Sequence, residues 1–178
     1  RRLAELLPMQ HETLDKLSVG FGQEASEGPV DVYDLMVRLT LKLVGKSLFG
    51  HQIGDEALEQ IGSAISNIQG FIVRQIVQPY MIPWFRLSGQ SDRYQQMRID
   101  ADQLIREHIQ ARVQDGGSDA LSMMLDTPYA DTGERMTDEQ ALVESLQLMV
   151  AGNETSSTAL AWTFYLLAKH PEYIEQIR

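Results

Sequence analysis

The segment from Thr137 to Lys169 constrains this chain more than any other. It opens on Thr137-Asp138-Glu139-Gln140, where a Thr hydroxyl and a Gln amide three residues apart can satisfy orphan backbone groups at a helix start. Leu142, Leu146 and Met149 then recur at helical spacing, and Leu160, Phe164 and Leu167 resume it further on. No stretch of the chain carries the two-residue period of a strand. The expected fold class is therefore all-α, with a long helix at its centre.

The middle of that helix breaks its own pattern. Ala151-Gly152-Asn153-Glu154-Thr155-Ser156 is followed by Ser157 and Thr158, nearly all poor helix formers. Glycine alone costs about 1 kcal/mol relative to Ala in a helix interior. Such local conflicts tend to mark functional sites. Ala151 and Thr155 are four residues apart and share a face, with Gly152 beside them. A glycine there lets a flat ligand or a diatomic approach the backbone. The Thr155 hydroxyl can bond back to the Ala151 carbonyl and loosen the helix. Glu154, next to it, can relay protons through water if partly buried. The same residues equally suit a buried helix with satisfied hydroxyls and a solvated carboxylate.

Taken in order, Arg1 to Leu7 reads as the tail of a helix that Pro8 ends, with a second short helix up to Gly22. Gly28-Pro29 starts a helix striped by Val32, Leu35, Met36, Leu39, Leu43 and Leu48, closed by Gly50. Glu56 to Val77 carries Leu58, Ile61, Ile65, Ile68, Ile72 and Ile76 at helical spacing. Pro79, Pro83 and Gly89 break the next stretch, and Tyr94 to Ile109 mark another helix, with Gly116-Gly117 ending the helical hairpin. Ser118-Asp119 caps a short helix through Asp126. His11, His51, His108 and His170 make no metal-ligand spacing, and His108 reads as a partly buried packing residue.

Ala-Gly-x-Glu-Thr-Ser on a long helix resembles the oxygen-activating motif of the cytochrome P-450 haem monooxygenases. The continuation from Leu160 to Glu172 is similar to that family's end of helix I. Ser122 to Asp126 and Thr132 to Glu139 resemble the lead-in to that helix, and Asp31 through Leu48-Phe49-Gly50 resembles helix E. The two long helices around the aromatic connection of Tyr80, Trp84 and Phe85 match helices F and G, a lid over the substrate. The resemblance covers residues 1–178 as one helical region, a partial domain running from the end of helix C to helix J. The family's N-terminal sheet region and its cysteine loop are absent from it.

The resemblance implies hydroxylation or a related oxidation of a small organic substrate by O₂, with b-type haem iron as cofactor in the parent protein. Electrons would come from a separate electron-transfer protein of ferredoxin or flavoprotein type. It gives Thr155 the hydrogen bond to oxygen and Glu154 the proton supply as catalytic residues. Ala151 and Gly152 would abut the cofactor, and Arg1 would reach a haem propionate. Gln147, Leu148, Phe71, Ile72 and Ile76 are the implied substrate contacts. No residue is assigned as a metal ligand, because the chain has no cysteine and the family holds its iron through a Cys thiolate. This chain alone is accordingly expected to be inactive, to hold haem weakly and to expose an apolar patch.

The composition fits an ordinary globular protein, at 43% apolar and 22% charged residues. A net charge of −10 argues against nucleic acid and an anionic membrane surface as partners. No apolar run reaches the roughly 20 residues of a membrane span, and no targeting segment is visible, so the expected location is cytoplasmic. The alternative to an oxygenase is a non-enzymatic all-α ligand-binding or interaction module without haem chemistry.

Overall fold

The computed structural model describes residues 6–50, 52–117 and 119–177. The described residues form eight α-helices and no strand: α1 (Leu7–Glu27), α2 (Val32–Phe49), α3 (Asp55–Val77), α4 (Ile82–Leu87), α5 (Gln90–Asp115), α6 (Ala120–Asp126), α7 (Asp138–Lys169) and the single turn α8 (Ile174–Ile177). Short 3₁₀ turns at Pro79–Met81 and Pro171–Tyr173 precede α4 and α8.

Two starts differ from the sequence expectation. Pro8 sits in the first turn of α1 and begins a single helix that runs on through Gly20 and Gly22. The missing N–H of proline is harmless in a first turn, so the residue that would end a helix instead opens one. In α2 the start is not Gly28-Pro29 but Asp31, whose carboxylate accepts from Tyr33 N at 2.9 Å and Asp34 N at 3.3 Å. Elsewhere the local chemistry matches. Asp119 caps α6 through Ser122 N at 2.8 Å, and Gly50 and Gly116 end α2 and α5 at φ of 72° and 67°, which side chains disfavour.

The core lies where α2, α3, α5, α6 and the first half of α7 meet. Phe49, Ile53, Leu58, Ile61, Ile105, Ile109, Leu121, Leu142 and Met149 fill it. Helices α2 and α3 interlock through two glycines. A Cβ on Gly45 would collide with Leu58, and one on Gly62 with Leu41. The pairs 41/62 and 45/58 run in opposite directions, so the two helices pack antiparallel with a leucine of each seated on a glycine of the other.

Charge closes the α2–α3 corner. Lys42 reaches Asp55 at 3.0 Å and Glu59 at 3.4 Å, and Lys46 reaches Asp55 at 3.1 Å. Burial alone would push the Asp55 carboxyl up, but hydrogen bonds and charge from Lys42 and Lys46 hold it below the ordinary value. Burial likewise works against the Lys42 ammonium, and Asp55 and Glu59 outweigh it to raise its pKa. A second, deeper pair ties α5 to α6. Arg112 Nε lies 2.5 Å from Asp119 Oδ2, both almost fully buried, and the guanidinium also donates to Gln52 Oε1 at 2.7 Å and the Phe49 carbonyl at 2.8 Å.

Between α3 and α5, Phe71 stacks on Tyr94 at 4.2 Å and meets Phe85 edge-on at 5.3 Å, which holds the hairpin and its α4 connection together. His108 is half-buried as expected, with Nδ1 at 2.8 Å from the Leu104 carbonyl and its ring 5.8 Å from Phe49.

Candidate functional site on the central helix

The start of α7 is the capping box anticipated from Thr137 and Gln140. Gln140 N donates to Thr137 Oγ1 at 3.3 Å, and Thr137 N donates to Gln140 Oε1 at 2.9 Å. With 32 residues at 1.5 Å each, the helix is about 48 Å long. Only Ala141, Leu142, Ser145, Met149 and Ser157 are buried along it. Beyond Ser157 every described residue is at least partly exposed, including Trp162 at 60% and Tyr165 at 52%.

The polar run does not interrupt the helix. Two of its hydroxyls bond to the helix backbone instead. Thr155 Oγ1 donates to the Ala151 carbonyl at 2.6 Å, and Ser157 Oγ donates to the Glu154 carbonyl at 3.1 Å. The Thr155–Ala151 bond is the one that spacing alone anticipated. Leu148, Ala151 and Thr155, at intervals of three and four, form one exposed face.

The neighbouring residues point elsewhere. A Cβ on Gly152 would meet Val44 Cγ2 at 2.9 Å, so this glycine is the point where α7 presses on α2. Thr40 Oγ1, on α2, lies 2.5 Å from Asn153 Oδ1 and 3.2 Å from the Asn153 carbonyl. Glu154 is exposed, and its carboxylate accepts from Gln69 Nε2 of α3 at 3.1 Å. An open cleft of about 530 Å³ lies between α2, α3 and α7, with Asn153, Glu154, Gln69 and Asp34 on its walls. The acid and the alcohol of the run are therefore adjacent in sequence, yet only Glu154 lines this cleft.

The remaining candidates scatter. Gln147 and Leu148 are exposed about two turns before Thr155. Ile72 and Ile76 are exposed on α3 and continue the stripe that starts at Gln69, which the Glu154 contact brings to α7. Phe71 is 6% exposed, and its ring packs on Phe85 and Tyr94 within the α3–α5 hairpin. Arg1 lies outside the described residues. No cluster able to hold a metal occurs among the described residues. The reading from sequence missed Thr40, Val44 and Gln69. Thr40 gave a signal, as a polar residue between Leu39 and Leu41 on an apolar helix; Gln69 gave none.

The cytochrome P-450 family model matches residues 2–178. Among curated relatives, cyclooctat-9-en-7-ol 5-monooxygenase of Streptomyces melanosporofaciens is 25% identical over 150 residues, covering 83% of this chain and 33% of the relative. A bifunctional cytochrome P-450/NADPH–P-450 reductase of Bacillus cereus is 27% identical over 154 residues, covering 83% of this chain and 14% of the relative. The haem domain of a cytochrome P-450DA mutant superposes with a TM-score of 0.81 at 27% identity, covering 94% of this chain and 37% of that one. The chain thus spans about a third or less of the length of these curated relatives. Family model, relatives and superposition agree with the motif on α7, and the chain belongs to the cytochrome P-450 family.

Proposed function

We propose that residues 1–178 are the central helical part of a haem-dependent monooxygenase that oxidises a small organic substrate with O₂. The observation that carries this is the Thr155–Ala151 hydrogen bond of 2.6 Å, set on an exposed face of α7 in a chain that the family model matches almost throughout.

That face suits a flat, apolar group. Leu148 and Ala151 offer hydrocarbon at its centre, and the small Ala151 side chain leaves room for a ring to lie close. When bound, haem supplies the electron-transfer and oxygen-activating chemistry. The chain has no cysteine, so the thiolate ligand of the family would come from residues outside these 178, and the segment by itself would hold haem weakly and be inactive.

What these residues contribute is position and protons. Thr155, bonded to a carbonyl it can release, offers a hydroxyl that donates to oxygen on the Ala151 face and accepts a proton in return. Glu154, open to the α2–α3–α7 cleft, would exchange protons with solvent and restore the one that Thr155 gives up. Leu148 and Gln147 would face substrate along α7, with Ile72 and Ile76 opposite on α3. Phe71 would act one layer back, by fixing the hairpin that carries them. Electrons would come from a reductase, either a separate protein or a module of the same polypeptide, as the names of the bifunctional relatives indicate for those proteins.

The test is the reduced, CO-bound difference spectrum of the full-length protein containing this chain. A thiolate-type Soret band with substrate-dependent O₂ consumption is expected. A protein without that band overturns the reading.

A further inference from the structure

We infer that Thr40, on α2, is a positioning residue for the Ala151–Thr155 pair, acting through Asn153. The inference rests on the monooxygenase reading of α7 for its functional consequence, and on packing alone for its structural part.

Three side-chain hydroxyls bond to α7 carbonyls within one turn: Thr155 to Ala151, Ser157 to Glu154, and Thr40 to Asn153. The first two belong to α7 and move with it. Of these three, only Thr40 comes from another helix, so it is the one that ties an α7 carbonyl to a neighbouring element. It is 3% exposed and sits in a helix otherwise lined with Leu35, Met36, Leu41 and Leu48. A hydroxyl there would be costly without partners. Its partners are Asn153 Oδ1 at 2.5 Å, the Asn153 carbonyl at 3.2 Å, the Met36 carbonyl at 2.8 Å and the Val37 carbonyl at 3.3 Å. One hydroxyl proton cannot serve all four at full strength. If the Asn153 amide turns over, its NH₂ donates to Thr40 and the hydroxyl proton serves Met36. In either arrangement, the two side chains are joined.

One turn along α2, Val44 presses on Gly152. Val44 and Thr40 are four residues apart on α2, and Gly152 and Asn153 are consecutive on α7. Together they form a two-point seat: a steric stop at Gly152 and a polar tie at Asn153. The stop limits approach but not rotation of α7 about its own axis. The tie limits rotation. With side-chain atoms about 5 Å from the axis, a rotation of about 20° would carry the Thr155 hydroxyl sideways by about 1.7 Å. A misplacement of about 1 Å at a reacting group can cost about a hundredfold in rate. Asn153 is thus the residue through which α2 sets the bearing of Thr155, though neither Thr40 nor Asn153 lies on the Ala151 face.

The experiment compares wild type, Thr40→Val and Thr40→Ser in the full-length protein, by hydrogen exchange at the amides of residues 152–158 and by product formed per reducing equivalent consumed. Thr40→Val should speed exchange in that window about tenfold while α3 and α5 stay unchanged. It should also lower coupling several-fold with substrate KM within about twofold, and Thr40→Ser should restore both. Unchanged exchange overturns the tie, and faster exchange with unchanged coupling overturns the positioning role. If Thr40→Val does not accumulate as folded protein, Asn153→Ala removes the shorter, side-chain bond, leaves only the 3.2 Å contact to the Asn153 carbonyl, and is judged by the same outcomes. A wild type without a thiolate-type CO band would overturn the proposed function separately, and the exchange comparison would still decide whether Thr40 holds α7.

Discussion

The Gln69 side-chain amide donates to the Glu154 carboxylate at 3.1 Å, joining the middle of α3 to the middle of α7. The bond is solvent-exposed, so it restrains Glu154 only weakly. If Glu154 carries protons, losing the carboxylate matters more than losing its partner. Glu154→Gln should lower turnover of the full-length protein by about tenfold or more, and Gln69→Leu by less than about threefold. Steady-state rates of the two variants decide this; equal losses would mean that the contact, and not the acid, is what matters.

Thr155→Val tests the alcohol. The Thr155 hydroxyl is exposed and bonds a carbonyl within its own helix, so its loss should change stability by less than about 1 kcal/mol. In the full-length protein, the same substitution should divert reducing equivalents from product to peroxide or water, with Thr155→Ser nearly normal. Thermal melts and product-to-cofactor ratios measure the two halves. A helical interaction module would show the same small stability change and no diversion of reducing equivalents.

Gly152 tests the seat of α7 on α2. Replacing Gly by Ala in a helix gains about 1 kcal/mol of propensity, but the new Cβ would meet Val44 Cγ2 at 2.9 Å. Overpacking of this kind costs about 1–3 kcal/mol, so Gly152→Ala should be neutral to destabilising by about 2 kcal/mol. Adding Val44→Ala should relieve it, leaving the double variant more stable than the sum of the singles predicts. Urea unfolding of the four proteins checks the cycle.

Asp119 and Arg112 hold the most deeply buried ion pair among the described residues. Asp119→Ala would leave the guanidinium with only Gln52 and the Phe49 carbonyl, and should destabilise by about 3–5 kcal/mol. Replacing both residues, Arg112→Met with Asp119→Leu, should recover much of that loss. Denaturant midpoints compared at constant slope give the answer.

The α2–α3 corner sets a pH dependence with two limbs. Asp55 has a folded pKa below its unfolded value, so its contribution is complete above about pH 4 and is lost as pH falls through the depressed value. Lys42 has a raised folded pKa, so its contribution is complete below about pH 10 and is lost as pH rises through the raised value. Asp55 is half exposed, and Asp55→Asn should cost no more than about 1 kcal/mol at pH 7. The Tm difference between Asp55→Asn and wild type should shrink toward zero as pH falls below about 4. A difference that persists at pH 2 would mean that Asp55 acts by something other than charge.

Much of this arrangement can be read from residue order. The Thr137 capping box, the Asp119 cap, the glycine ends of α2 and α5 and the Thr155–Ala151 bond are all local, and local spacing predicts them. Pro8 was misread because proline both ends and opens helices, and only what precedes it decides which. The facing of Gly152 was not legible either. A helical stripe fixes a face to within about 100°, and whether a glycine in it meets a ligand or a neighbouring helix depends on Val44, more than 100 positions earlier. Thr40 and Gln69 are distant for the same reason: each meets α7 only once the chain has folded.

Helix α7 has no buried residue after Ser157. Mechanically it is a cantilever, clamped at one end by α2, α5 and α6 and projecting Trp162, Phe164 and Tyr165 from the other. Clamped and free lengths unfold with different free energies, so a protease specific for aromatic residues should cut the overhang while residues 138–157 stay protected. The run from Gly152 to Thr155 stands beside the point where the packed length gives way to the exposed one, so whatever covers the exposed length would abut it.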